Sequence, residues 1–140
     1  MIEIIPIFII LWIVSIIIHE LSHYIQGTMQ GCKCRIKVWF WHGIPSAKCE
    51  IIEGKLIKEE LFYLAGGLYT SIIYFITCII LLLSNVSNFI VFPFFSIATM
   101  HLFYSIYETS YYKNDLGNYM KYHYCAYLIG FIISLTYWIF

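Results

Sequence analysis

The sequence predicts an all-α integral membrane protein: four transmembrane helices, with a small β-hairpin in the first cytoplasmic loop. Three observations carry that expectation. First, 61% of the 140 residues are hydrophobic and only 11% are charged, with a mean hydropathy of +0.81. A soluble domain usually carries about 25% charged residues, and so few charges do not cover a compact globule. Second, four segments are long and apolar enough to cross a hydrocarbon core, which takes about 20 residues in a helix. Third, the basic residues collect in two stretches separated by two crossings. Eight basic residues balance eight acidic ones, so no basic excess exists for nucleic acid. An ordinary cytosolic enzyme, a disordered chain and a nucleic-acid binder are excluded.

The first span is expected at 4–25, with an unbroken apolar run at 7–14. It lies where a secretory leader would, yet Glu3 is the only early charge and no small-x-small cleavage site follows. A retained span is expected. The loop at 27–58 is the only sizeable polar part. Residues 35–41 partly alternate polar and apolar, Gly43-Ile44-Pro45-Ser46 supplies turn chemistry, and 47–52 reads as a returning strand. The result is a hairpin at the membrane surface, anchored by Trp39 and Trp41. Spans at 61–83 and 89–107 flank the polar turn 84–88 and form an antiparallel hairpin. The last span is expected at 122–140. Residues 1–140 make one membrane-embedded domain.

Orientation follows from the cations. Lys33, Arg35, Lys37, Lys48, Lys55 and Lys58 lie between spans one and two, and Lys113 and Lys121 between three and four. Both loops are then cytoplasmic, and both termini and the 84–88 turn face outside. The cysteines Cys32, Cys34 and Cys49 fall in the cytosolic loop, where disulfides are not the default. With His42 they have no standard zinc spacing, and buried thiols are the better reading.

His19-Glu20-Leu21-Ser22-His23 is an HExxH sequence at the cytoplasmic end of the first span. Residues four apart share a helix face, so both imidazoles can bind one Zn²⁺. Glu20 is turned by about 100° from His19, which lets it reach a water at the metal as general base without ligating. Ionisable groups at membrane depth are costly unless paired or functional. A zincin-type site needs a third protein ligand. Asp115, the single aspartate, lies on the same side as the histidines and is favoured; Glu108 at the end of the third span is the alternative. His101 reads as a hydrogen-bonded bundle residue, and His42 and His123 as surface or interfacial groups. Gly66-Gly67 can bring the second span close to the 19–23 turn, or serve plain packing.

These residues resemble the site-2 protease family of intramembrane zinc metalloproteases. The resemblance rests on HExxH on an early span, the surface hairpin, Ala65-Gly66-Gly67 opening the second span, and the late Asp115-Leu116-Gly117. It implies His19, His23 and Asp115 as zinc ligands and Glu20 as catalytic base, in a minimal member without PDZ or CBS domains. Gly67 stands where the family commonly has proline, Thr70 where it often has asparagine, and Leu116 separates Asp115 from glycine. Tyr107 occupies the spacing of the family's carbonyl-holding asparagine. The expected activity is hydrolysis of peptide bonds in or near transmembrane segments. A membrane-protein or signal-peptide-like helix would be the substrate, held on the edge of strand 35–41, with a homo-oligomer or regulatory membrane partner as further company. The alternatives are a catalytically degenerate zinc-binding membrane protein or subunit, and a different HExxH membrane protease with Glu108 as third ligand.

Overall fold

The structure, a computed structural model, describes residues 4–41, 44–111 and 116–139. Among these the chain forms four helices and one two-stranded sheet. They are α1 (Ile4–Met29), β1 (Lys33–Trp41), β2 (Ile44–Glu53), α2 (Glu59–Leu83), α3 (Asn88–Tyr111) and α4 (Leu116–Ile139). α1, α2 and α3 are each long and apolar enough to cross a membrane, and α4 carries a shorter apolar section at Cys125–Thr136. Large apolar side chains on the outer faces, such as Ile10, Ile17, Ile76, Ile80 and Leu83, are more than half exposed. A surface of this kind suits lipid better than water.

Each helix runs a little beyond the apolar stretch that announced it. α1 continues through Gln26 to Met29, and α3 through Glu108 to Tyr111. Hydropathy marks where lipid would end, whereas a helix ends where its carbonyls find other donors. Pro6 sits in the first turn of α1, where its missing N–H has no helical partner anyway. At the other end, Cys32 N–H bonds to Gly27 O (3.0 Å) and Gly31 N–H to Thr28 O (3.0 Å). Gly31 has φ +81°, so the helix closes in a Schellman motif and turns the chain into β1. The same pattern ends α2. Val86 N–H bonds to Leu81 O, Asn85 N–H to Leu82 O, and Asn85 takes the left-handed conformation at φ 54°. The polar turn thus returns the chain into α3, as its composition suggested.

β1 and β2 pair antiparallel from Lys33↔Glu53 to Trp41↔Ile44, with one irregularity at Lys33/Cys34. The returning strand starts at Ile44, earlier than the expected 47, because the register continues through Trp39↔Ser46 and Phe40↔Pro45. A proline near the start of a strand costs little in a two-stranded ladder. One face carries Lys33–Glu53 (3.0 Å), Lys37–Glu50 (2.7 Å) and Arg35–Glu50 (3.5 Å). The opposite face buries Cys34 and Cys49 with Cys32, Leu56 and Phe62. The turn at 42–43 and the side chains of Trp39 and Trp41 lie outside the described residues, and so does the anchoring assigned to those tryptophans.

The helices meet through small and hydroxylated residues, as helices in lipid do. Tyr74, Ile97 and Ala98 form a buried cluster with Trp12, Phe75 and Phe94 against it. Tyr74 O–H donates to Leu11 O (2.7 Å), Ser105 Oγ to Leu64 O (2.9 Å), and Thr99 Oγ1 to Gly130 O (3.1 Å). A methyl group at Gly67 would stand 2.5 Å from His101 O, and one at Gly130 would stand 2.6 Å from Met100 Cα. These glycines set how closely α3 approaches α2 and α4.

Candidate metal centre

His19 and His23 lie on successive turns of α1, and both are almost fully buried, at 4% and 3% exposure. Their Nε2 atoms are 3.0 Å apart. Across from them α3 presents Glu108, 7% exposed, with Oε2 3.3 Å from His19 Nε2 and Oε1 3.4 Å from His23 Nε2. Among the described residues, this is the group of ligand-type side chains that converges. Ligands about 2.0–2.1 Å from a tetrahedral zinc stand roughly 3.3–3.4 Å from one another. The observed separations therefore fit a single ion held by two imidazoles and one carboxylate. Two nitrogens and an oxygen are also an ordinary donor set for zinc.

Two further features suit a metal. His23 Nδ1–H donates to Phe62 O at 2.6 Å, which fixes the tautomer and leaves Nε2 bare for ligation. Gly66 of α2 faces the pair: a Cβ there would overlap His23 Nε2 and lie 2.6 Å from His19 Nε2. Bare backbone at that position keeps both Nε2 atoms uncovered.

Glu20, 9% exposed, is turned towards the hairpin. Its Oε2 accepts a hydrogen bond from the backbone N–H of Cys49 at 2.5 Å. Cys49 is paired with Ile36, yet its N–H points to Glu20 and so leaves from the edge of β2 away from β1. The outer edge of β2 therefore borders the site. The strand expected to hold a substrate segment, 35–41, belongs to β1, whose unpaired edge is the opposite one. Alternation identifies a strand but does not say which of its two edges is covered.

Asp115, favoured as third ligand from the sequence, lies outside the described residues. Glu108, the alternative, stands beside both histidines because α3 continues as helix past residue 107. The carboxylate is buried between the two imidazoles rather than turned to the interface. His101 is a hydrogen-bonded bundle residue as anticipated, with Nε2 2.8 Å from Ser15 Oγ. His42 and the side chain of His123 lie outside the described residues. Burial pushes the Cys49 thiol up to about 12, and it raises Cys34 as well. Thiols held protonated in an apolar cluster are poor ligands, which agrees with reading these cysteines as core. Phe62, whose carbonyl anchors His23, carries no signal in the sequence, because any residue offers a carbonyl. The chain matches no protein-family model, no curated protein and no solved structure.

Proposed function

We propose that the protein is a zinc metallopeptidase that hydrolyses peptide bonds in or beside membrane-spanning segments. The observation that carries this reading is the convergence of His19, His23 and Glu108 next to Glu20, on helices apolar enough to cross a membrane. When bound, Zn²⁺ supplies a Lewis acid that polarises a carbonyl and makes water a nucleophile near neutral pH. His19 and His23 would hold it through Nε2 and Glu108 through its carboxylate. Glu20 takes the proton of the attacking water and returns it to the leaving amine. The Cys49 N–H fixes one carboxylate oxygen of Glu20 and leaves the other to carry the proton.

With Glu108 as ligand the chemistry is that of the HExxH proteases that use a glutamate. The site-2 protease resemblance implies the same chemistry with Asp115 in that place. A helical substrate hides its carbonyls in its own hydrogen bonds, so the segment to be cut has to unwind. The outer edge of β2, bordering Glu20, offers backbone groups to an extended segment by strand addition. The cations at 33–58 favour a multi-pass arrangement with this site towards the cytoplasm and the termini outside.

The test is zinc content and cleavage measured on the same purified variants, with tagged single-span proteins as substrates. Glu20→Gln keeps one zinc per chain and loses cleavage, whereas His19→Ala and His23→Ala lose the zinc. Glu108→Gln loses zinc and Asp115→Asn retains it; the reverse result returns the third ligand to Asp115. Full cleavage by Glu20→Gln would sink the assignment. A binding-only protein would hold zinc and cleave nothing, even with Glu20 intact.

A further inference from the structure

The two imidazoles of the centre differ in what supports them. His23 gives its Nδ1–H to Phe62 O. His19 Nδ1 is buried with no hydrogen-bond partner. If Nε2 of His19 takes the metal, that Nδ1 bears a proton and needs an acceptor, because ligating histidines almost always donate their second N–H.

The ring beside His19 has the complementary need. Ser15 O–H donates to Trp12 O at 2.7 Å, and a carbonyl can only accept. Ser15 has one proton; with it given to Trp12 O, both contacts are satisfied when His101 donates from Nε2–H to Ser15 Oγ at 2.8 Å. His101 Nδ1 is left as a bare acceptor. It too is buried without a partner, on a residue 1% exposed. The His19 and His101 ring centroids are 5.4 Å apart and the planes are tilted by 43°. Tyr127 meets His101 edge-on with ring centroids 5.4 Å apart.

We infer that His101 is the positioning residue of His19: its Nδ1 accepts the His19 Nδ1–H, directly or through one buried water, when His19 Nε2 holds the metal. The inference rests on the zinc reading above. The proton directions then run one way, from His19 to His101 to Ser15 to the Trp12 carbonyl. A donor and an acceptor left unmatched on neighbouring buried rings would satisfy each other. One water can bridge two such nitrogens where they do not meet directly. α3 would thus serve the centre twice, with Glu108 on the ion and His101 behind a ligand.

The experiment measures zinc affinity of the full chain in detergent, by competition with a chromophoric chelator, for three substitutions at residue 101. His101→Asn keeps an acceptor oxygen near the Nδ1 position. His101→Gln places its amide near the Nε2 position and nothing polar near Nδ1, and His101→Phe places nothing polar at either. The expected result is roughly 10–100-fold weaker zinc binding in His101→Phe and His101→Gln, with His101→Asn close to the parent. In the cobalt-substituted parent, two slowly exchanging imidazole N–H protons are expected in the paramagnetic proton spectrum. His101→Gln should speed exchange of one and leave the His23 proton unchanged. Equal affinity in all three substitutions overturns the inference and leaves the zinc reading standing. Equal loss in all three, Asn included, also overturns it, because a general packing defect would then explain the loss. A parent chain that holds no zinc overturns both readings. Should His101→Phe fail to fold, the Asn–Gln pair still decides.

Discussion

At Gly66 a single methyl group would occupy the space beside the Nε2 atoms of His19 and His23. Alanine is the better helix former by about 1 kcal/mol, so local propensity alone would favour the replacement. Gly66→Ala is nevertheless expected to weaken zinc binding at least about tenfold, more than any fall in the melting temperature of the metal-free protein accounts for, as zinc titration and thermal unfolding would read together. Gly67→Ala should behave differently. Its Cβ meets His101 O and Ser105 Cβ of α3 rather than the centre, so the expected cost is overpacking of about 1–3 kcal/mol with or without metal. His19, Glu20 and His23 were legible in the sequence because a helix brings residues four apart together with no help from the rest of the chain. Glu108 was visible only as an alternative. Its place depends on how far α3 continues and on which face meets α1, and both are tertiary facts.

Among the elements, the hairpin joins sequence-level alternation most directly to the chemistry. Its charged face and its cysteine-lined face follow from a period of two, and the ion pairs of Glu50 with Lys37 and Arg35 follow from the register. The edge that borders Glu20 does not follow, because alternation is the same for both edges. The backbone N–H of Cys49 is the group in contact, so the thiol is dispensable there and the amide is not. Cys49→Ala is expected to retain cleavage to within about threefold, losing only a small buried side chain. Cys49→Pro removes the N–H from an edge strand that tolerates proline, and it frees the Glu20 carboxylate to turn away. Its expected signature is a large fall in kcat with zinc content unchanged. Equal activity in the two variants would show that the hydrogen bond plays no part in placing the base.

For the whole molecule, apolar faces turn outward while the ionisable centre sits inside, where α1, α2 and α3 meet. This inverts the soluble pattern, and the cost of burying such groups is offset only where they are paired or hold a metal. The number of helices was legible because each crossing needs a long apolar run, and their ends were not, because polar residues such as Gln26 and Glu108 continue a helix without difficulty. The expected orientation comes from a different signal, the placement of lysine and arginine, which does not depend on the fold. With Lys33, Arg35, Lys37, Lys48, Lys55 and Lys58 all between α1 and α2, the proposed arrangement puts the hairpin on the cytoplasmic side. It puts the turn between α2 and α3, which carries Ser84, Asn85, Val86 and Ser87 and no cation, on the other. Cysteine-free variants with a single new cysteine at Lys55 or at Asn85 test this with an impermeant maleimide on intact cells. Label at position 85 and protection at position 55 is the expected result. The reverse pattern would move Glu20 and both histidines to the outer face, and the substrates would then have to present their cleavage sites from that side.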